Sequence, residues 1–151
     1  MTVAAILKHK GQHVTSVNPT TSIAEVTRIL DERRIGAVLV MDATDQLLGI
    51  VSERDIIHSL ASSGVRALEM TAGQLMTRDV QTATPQTTVP EAMAMMTQGR
   101  FRHVPVMENG ALVGLISIGD VVKARITQQE HEVDSLRAYV VGGTSDLHAL
   151  T

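Results

Sequence analysis

Apolar positions along the chain form short continuous runs in some segments and follow a helical spacing in others. In the first half, Val14–Val17, closed by Pro19, is predicted as a short strand, and the apolar runs Ala37–Met41 and Leu47–Val51 predict two more. After Pro19, apolar residues three or four positions apart predict an amphipathic helix; they are Ile23, Val26, Ile29 and Leu30. A second helix is predicted from about Glu53 to Leu60. The first half therefore has the predicted order β-α-β-β-α.

The second half repeats this order, and self-similarity at a fixed period indicates a structural repeat. The aligned pairs are Val14–Pro19 with Val80–Pro85, Ala37–Met41 with His103–Met107 and, after a one-residue deletion in a turn, Gly49–Asp55 with Gly114–Asp120. The last strand is predicted at Leu112–Ile116, and the last helix from about Ile118 to Arg125 or beyond. Ser22 and Thr88, each with Glu three residues later, have the capping-box pattern of helix starts.

The repeat predicts the organisation of the chain. We expect a first repeat with its N-terminal segment at 1–66, a second repeat with its linker at 67–130, and a helical extension with a mobile tail at 131–151. In the last part, Glu130–Tyr139 extends the predicted helix and Val140–Gly143 ends it. The remaining terminal residues are expected to be mobile, as termini without partners commonly are.

Composition limits the classes of function. Hydrophobic residues make up 44% of the 151 residues and the formal net charge is −3, so a core can form and nothing general attracts nucleic acid or a membrane surface. No apolar run approaches the roughly 20 residues of a membrane span. In Met1–Lys10 the lysines follow the apolar stretch, which is the reverse of a signal peptide. We therefore expect a cytoplasmic protein with neither nucleic acid nor membrane as a partner.

Residue types that support common chemistries are scarce. The chain has no Cys and no Trp, one Phe and one Tyr, so a bound base is expected to lie between aliphatic side chains and backbone. His9 and His13 are four residues apart, but no further ligands are evident and no metal site is predicted. Neither a P-loop nor a nucleophile elbow is present. We therefore predict that the protein is not an enzyme.

Two β-α-β-β-α repeats, each with a proline after the first strand and Gly-h-h-Ser-x-x-Asp (h, apolar) before the last helix, resemble the CBS domain family. The resemblance covers about residues 1–130 and is strongest in the second half, where Arg102–Val106 matches the basic-h-Pro-Val strand entry of the family. The first half has Gly36–Val40 there, without the basic residues or the proline. The resemblance implies an α/β (α+β) fold. Two repeats pack about a pseudo-twofold axis, as a Bateman module, and leave two clefts between them.

The resemblance also implies a ligand class and a role. Tandem CBS domains commonly bind AMP, which we expect first, or ADP, ATP, NAD(H) or S-adenosylmethionine, and they regulate an enzyme or transporter. A homodimer is expected, because apolar residues such as Ile56–Ile57 and Val121–Val122 exceed what one small core needs. The alternative is a scaffold that dimerises with empty clefts, which the divergent first repeat favours. An enzyme, such as a nucleotide hydrolase, has no positive support.

The candidate ribose residues repeat in both halves. They are Asp55 and Asp120, with the serines Ser52 and Ser117 that precede them by three positions. A carboxylate can accept both hydroxyl donors of a ribose, and the resemblance implies this role for the aspartates. The same Ser-x-x-Asp pattern also caps any helix. The two roles are compatible, since the serine can cap the helix while the aspartate binds.

The candidate phosphate and adenine residues follow from charge and from the resemblance. The phosphate candidates are Arg102, His103, Arg54 and Arg100, because arginine offers several donors to a phosphate; a solvated surface side chain is the alternative for each. For adenine, the resemblance points to Thr15, Ser16 and Val17 in one cleft and to Thr82, Ala83, Val104 and Pro105 in the other. Backbone groups can read an adenine edge, so the sequence leaves the choice of nucleotide open.

Overall fold

The computed structural model describes the backbone of residues 1–150 and the side chains of residues 1–140. Its elements are α1 (Val3–Lys10), β1 (Ser16–Val17), α2 (Ile23–Arg33), β2 (Ala37–Met41), β3 (Leu47–Ser52), α3 (Glu53–Ser63), α4 (Ala72–Leu75), α5 (Val89–Gly99), β4 (His103–Glu108), β5 (Ala111–Ser117) and α6 (Ile118–Leu150). A 3-10 helix, Gly64–Glu69, connects α3 to α4. The predicted mixture of helices and small sheets is confirmed.

Each repeat has its own small sheet. In the first, β1 runs parallel to β2, and β2 pairs antiparallel with β3. In the second, β4 pairs antiparallel with β5. The counterpart of β1 is reduced there to one parallel bridge between Ala83 and Val106, so the strand predicted for the first position of the second repeat does not form. Strand β1 is also two residues shorter than the predicted Val14–Val17.

The first helix of each repeat begins and ends in the same way. The Ser22 hydroxyl accepts a hydrogen bond from the Glu25 amide at 3.2 Å, and the Thr88 hydroxyl accepts one from the Glu91 amide at 3.2 Å. These bonds satisfy backbone donors that the first helical turn leaves without partners. Both helices end at an arginine in the left-handed conformation, Arg34 at φ 53° and Arg100 at φ 55°. Non-glycine residues rarely adopt this conformation.

The buried apolar residues form three groups. The first core includes Ile23, Val26, Val38, Val51, Ala72 and Met76. The second core includes Val3, Leu7, Val89, Val104, Ile116 and Val121. A third group lies where the two sheets meet, and it includes Leu39, Ile50, Leu112 and Leu115. Each repeat thus has a core of its own, and the sheets pack against each other.

Each core is completed by a segment that precedes the other repeat in the sequence. Residues 1–10 pack on the second repeat, and residues 72–77 pack on the first; we call them the crossing segments. Backbone bonds fix both, from the Val3 amide to the Thr87 carbonyl at 2.8 Å and from the Ile50 amide to the Thr77 carbonyl at 3.0 Å. The cores therefore span the predicted boundary at residue 66. Helix α1 itself was not predicted.

Gly49 and Gly114, at matched positions of the two repeats, leave room for the crossing segments. A Cβ atom on Gly49 would lie 2.6 Å from the Thr77 carbonyl oxygen and 2.8 Å from the Met76 sulfur. A Cβ atom on Gly114 would lie 2.6 Å from Cδ2 of Leu7. The Gly49 contact involves backbone, so a side chain there would force the chain to shift, whereas the Gly114 contact involves the end of the flexible Leu7 side chain, which can move aside. The glycine in the first Gly-h-h-Ser motif therefore has a packing role.

The last helix is longer than the sequence predicted. Val140–Gly143 was expected to end it, but α6 continues to Leu150. A glycine inside a helix costs only about 1 kcal/mol relative to alanine, so two glycines lower the helical propensity without stopping the helix. The predicted mobile tail ends at Thr151, which lies outside the described residues. None of the helices in the described part has both the length and the apolar character of a membrane span.

Candidate functional site

A cleft of about 400 Å³ opens between the two repeats. Four stretches of chain line it: Gly36 before β2, strand β3 with its junction to α3, the linker before α5, and the connection from α5 to β4. Its residues are Gly36, Ile50, Ser52, Glu53, Arg54, Asp55, Thr77, Asp79, Gln81, Gly99, Arg100, Phe101, Arg102 and His103. We call it the Asp55 cleft. It brings together Ser52, Asp55 and the four candidate phosphate residues.

The start of α3 fixes Asp55 at the mouth of this cleft. The Ser52 hydroxyl accepts a bond from the Asp55 amide at 3.3 Å, and Oδ2 of Asp55 accepts bonds from the Ser52 amide at 2.9 Å and the Ser52 hydroxyl at 3.0 Å. This reciprocal capping box stabilises the helix start. Among the described residues, Oδ1 of Asp55 accepts no hydrogen bond. One oxygen of a positioned carboxylate is thus available to a ligand.

Asp120 has the same cap but a different neighbour. Its Oδ2 accepts a bond from the Ser117 amide at 2.8 Å, and the Ser117 hydroxyl accepts one from the Asp120 amide at 3.1 Å. The ammonium of Lys10, from α1, lies 2.6 Å from the same Oδ2 and also donates to the Leu115 carbonyl at 2.8 Å. An internal cation therefore holds the carboxylate that the sequence assigned to a ribose.

The ion pair also changes the titration of Asp120. Burial raises the pKa of its carboxyl group, but hydrogen bonds from Lys10 and Ser117 outweigh burial, so the pKa lies below its usual value. Asp120 is therefore ionised and paired at neutral pH. It lines a separate groove between α1 and α6, together with Lys10 and Lys123. The two aspartates of the repeated motif thus have different surroundings.

Three arginines contribute positive charge to the Asp55 cleft. Arg54 lies in the first turn of α3, whereas Arg100 and Arg102 flank the entry to β4. Among the side chains that the structure describes, these arginines form no ion pair within 4.0 Å. Arg100 adopts the same left-handed conformation as Arg34, its counterpart at the end of α2, so this conformation is a feature of both helix ends. Carboxylates of Glu53, Asp55 and Asp79 also line the cleft, so its formal charges balance.

His103 is half-buried beside Gly36. A Cβ atom on Gly36 would lie 3.2 Å from Cε1 of the His103 ring, so a side chain there would crowd the imidazole. Burial lowers the pKa of His103; Lys10 and Arg102 act in the same direction, and Glu53 and Asp120 oppose them. The imidazole is therefore neutral at neutral pH in the protein without ligand. It can donate or accept a hydrogen bond in the cleft, or gain a proton when an anion binds.

The single phenylalanine lies in the cleft. The ring of Phe101 packs directly against Gly99, on the lining of the Asp55 cleft. Composition led us to expect that any base would lie between aliphatic side chains and backbone; one aromatic ring is nevertheless on the lining of this cleft. An aromatic ring stacks on the face of any base. Its position between Arg100 and Arg102 is the signal that could have identified it.

The candidate adenine residues are scattered over the fold. Val17 packs in the first core, and Ala83 and Val104 pack in the second, so these side chains do not face the Asp55 cleft. Side chains alternate along a strand, and His103 lies on the lining of the cleft while Val104 points to the opposite face. Pro105 is buried. Thr82 and Ser16 are exposed, and the Thr15 hydroxyl accepts a bond from Arg33 at 3.0 Å.

The linker before α5 supplies residues that sequence reasoning missed. Thr77, Asp79 and Gln81 line the Asp55 cleft; Thr77 and Asp79 lie outside the predicted strands and helices, and Gln81 lies in the segment aligned with the first predicted strand, where no strand forms. Their polar side chains and backbone groups are suited to reading the edge of a base. The polar residues Thr77, Asp79 and Gln81, between the two repeats, are the signal in the sequence. No cluster of three metal-ligating side chains occurs among the described residues.

Comparisons with known proteins identify the family. The model of the CBS domain matches the chain twice, over residues 5–62 and 72–127. The mitochondrial CBS domain-containing protein CBSX3 of Arabidopsis thaliana is 31% identical over 150 residues, covering 94% of this chain and 73% of that protein.

Solved structures give the same result. A CBS-domain containing protein of Agrobacterium tumefaciens is 46% identical, with a TM-score of 0.80 over 82% of this chain and 92% of that one. A CBS domain protein of Pyrobaculum aerophilum, solved in complex with AMP, is 28% identical, with a TM-score of 0.70 over 80% of this chain and 89% of that one. The chain therefore belongs to the CBS domain family, of which it carries a tandem pair.

Proposed function

We propose that the chain is a regulatory module that binds an adenine nucleotide in the Asp55 cleft. One observation carries the proposal. A single cleft brings together a positioned carboxylate for ribose, three arginines and a histidine for phosphate, and a phenylalanine ring for the base. The volume of about 400 Å³ falls within the range of small-molecule sites. The AMP complex of the Pyrobaculum aerophilum protein supports this ligand class.

The chemistry of the lining suggests how a nucleotide is held. The two hydroxyl groups of the ribose donate to the Asp55 carboxylate, whose Oδ1 has no bond among the described residues. The phosphate lies against the arginines, with His103 as a further donor. The base packs near Phe101 and the linker, where backbone groups of Thr77–Gln81 can distinguish adenine from other bases. AMP is the ligand that we expect first; ADP, ATP, NAD(H) and S-adenosylmethionine are the alternatives.

The Asp120 side is the weaker site in this proposal, because Lys10 already neutralises its carboxylate. A ribose there would have to displace a charge-assisted hydrogen bond, which is stronger than a neutral one. We therefore expect one nucleotide per chain. Replacing Lys10 with alanine is expected to raise the number of bound nucleotides from one toward two, measured by titration calorimetry. A matched Lys8→Ala variant, on an exposed position of α1, is expected to leave the stoichiometry at one.

Binding acts through a partner in this proposal. Of the apolar residues expected to serve a homodimer, Ile57 and Val122 are exposed, whereas Ile56 and Val121 pack in the cores. The exposed side chains are suited to a homodimer in the cytoplasm, and the regulated protein is an enzyme or transporter. A ligand shifts such an assembly only as far as it binds one arrangement better than another. The alternative role, an interaction scaffold without a ligand, would use the same apolar faces. The test of ligand binding separates the two.

The test begins with protein purified without added nucleotide. Denaturing it and analysing the released small molecules by mass spectrometry should reveal an adenine compound. A thermal-shift and calorimetry panel of AMP, ADP, ATP, NADH and S-adenosylmethionine follows, with GMP as the control for the base. We expect saturable stabilisation by at least one adenine compound and none by GMP. If no compound binds and none is released, the scaffold role replaces the proposal.

The protonation of His103 provides a further prediction. Because burial holds its pKa low in the free protein, and a bound phosphate favours the imidazolium, binding should add a proton to this ring. Affinity contributed by His103 therefore rises as pH falls toward its ordinary pKa of about 6.5. Calorimetry with AMP in two buffers of different ionisation enthalpy measures the protons taken up. The wild type is expected to take up more protons than His103→Gln; equal uptake would remove His103 from the phosphate site.

A further inference from the structure

The second half of α6 extends away from the two repeats with its apolar residues exposed. Val121 and Ala124, near its start, pack in the second core. The family model ends at residue 127, and every residue from 129 to 140 is exposed. Large apolar side chains are nevertheless present beyond this point; Leu136, for example, is 62% exposed. The fold of the two repeats does not explain these exposed apolar residues, because none of them packs on either repeat.

These apolar residues form a single stripe. Its members are Val122, Ile126, Val133, Leu136 and Val140, all exposed, with Gln129 completing the pattern. Successive positions, Gln129 included, are four, three, four, three and four residues apart, which is the a and d spacing of a coiled-coil heptad. At 3.6 residues per turn, the stripe lies on a different face of α6 from Val121 and Ala124, about a third of a turn around the helix. It is therefore accessible to a partner while the helix stays packed on its own domain.

The charged residues beside the stripe are complementary to the same residues of an identical helix. With Ile126 and Val133 at a positions, Arg125 and Glu132 occupy g, and Glu130 and Arg137 occupy e. In a parallel pair, each g residue meets the e residue five positions later on the partner helix. Arg125 then faces Glu130 of the second helix, and Glu132 faces Arg137. Both contacts join opposite charges, and twofold symmetry repeats each of them.

We propose that α6 of one chain pairs with α6 of a second copy in a parallel, in-register coiled coil over residues 122–140. The charges favour a second copy of the chain as the partner, because each g residue is opposite in charge to the e residue that it would face on an identical helix. Gln129, a polar residue at a d position, costs some stability but disfavours shifted registers. The proposal deepens the homodimer of the proposed function, which could also form through α3 and the start of α6 alone. It does not depend on nucleotide binding.

Single cysteines test the pairing directly, because the chain contains no cysteine. In a parallel pair, Leu136→Cys places two thiols opposite each other across the helix interface, whereas the matched Ser135→Cys variant places them on the outer faces. Mild oxidation of the full chain, followed by a non-reducing gel, is expected to give a covalent dimer for Leu136→Cys and little for Ser135→Cys. Equal yields, no dimer for Leu136→Cys, or a monomeric wild type in sedimentation would overturn the proposal.

A charge exchange tests the register and separates this pairing from a dimer made through other surfaces. Glu132→Arg places like charges opposite each other twice, and should weaken dimerisation about tenfold, since each exposed pair contributes modestly. Adding Arg137→Glu to the same chain restores opposite charges and should recover the wild-type dissociation constant within about threefold. Sedimentation equilibrium measures both. A double variant as weak as the single one would contradict the proposal even if the protein binds nucleotide normally.

Discussion

Replacing Asp55 with asparagine is expected to weaken adenine nucleotide binding by about 100-fold, the loss of roughly 3 kcal/mol that removing charge-assisted hydrogen bonds to a ribose would cause. Asparagine keeps an oxygen that can accept from the Ser52 amide, so the cap of α3 should survive. The stability of the free protein should change by less than about 1 kcal/mol. Titration calorimetry with the best ligand of the panel measures the affinity, and thermal unfolding checks the fold.

Asp120→Asn is the matched control, because Asp120 holds the equivalent position in the second repeat. Since Lys10 already occupies its carboxylate at 2.6 Å, affinity should stay within about threefold of the wild type. The 2′-deoxy form of the ligand should reproduce the loss seen in Asp55→Asn. If Asp120→Asn loses affinity and Asp55→Asn does not, the two clefts have the opposite roles. If neither variant loses affinity, the ribose assignment is wrong.

Removal of residues 1–10 is expected to unfold the second repeat. Val3, Ile6 and Leu7 are buried in its core, and the burial of such side chains stabilises a fold by about 1.5–3 kcal/mol each. Their combined loss is comparable to the whole stability of a small domain, about 5–15 kcal/mol. Hydrogen exchange followed by mass spectrometry should show protection lost in residues 80–127 before residues 16–63. Loss confined to the first repeat would contradict the crossing arrangement.

A milder pair of variants keeps this prediction testable if the truncated chain cannot be purified. Leu7→Ala should destabilise the protein by about 2–5 kcal/mol, as substitutions of buried leucine commonly do. Lys8→Ala, one residue later on the exposed side of α1, should have little effect. Chemical denaturation with two spectroscopic probes measures both variants. Equal stabilities would show that α1 contributes nothing to the second core.

The fold could be predicted to a large extent because its signals are local and occur twice. Runs of β-type residues, helix caps and the Gly-h-h-Ser-x-x-Asp segments each determine structure within a few residues of themselves. The cluster around Asp55 was predictable for the same reason, since the repeated motif and the basic strand entry both lie at ends of elements. Which side chains of each strand face the core could not be predicted. Val17, Ala83 and Val104 were assigned to the clefts from the family resemblance, which does not tell which side chains of a strand face a core; the structure packs all three in the cores.

The features that depend on distant parts of the chain could not be predicted. Nothing in Met1–Lys10 indicates that this helix packs on the second repeat or that Lys10 meets Asp120. The only local signal is the pair of glycines at 49 and 114. The reason for them, the close approach of the crossing segments, is visible only in the structure. Phe101 was overlooked because the composition, which contains a single Phe, does not tell where that residue lies in the fold. Except for Val140, the heptad positions of α6 lie within the predicted helix, but they were missed because the exposure of their apolar residues is visible only in the structure.

The crossing of α1 onto the second repeat sets the order of events during synthesis on the ribosome. The first core needs only residues up to Met76, so it can form while the second repeat is still being translated. Helix α1 is made first, yet its contact between Lys10 and Asp120 joins residues 110 positions apart. At about 5–20 residues per second, α1 therefore emerges several seconds before its docking surface. A helix this short is unstable alone, so the apolar side of residues 3–7 stays open to nascent-chain chaperones during this interval.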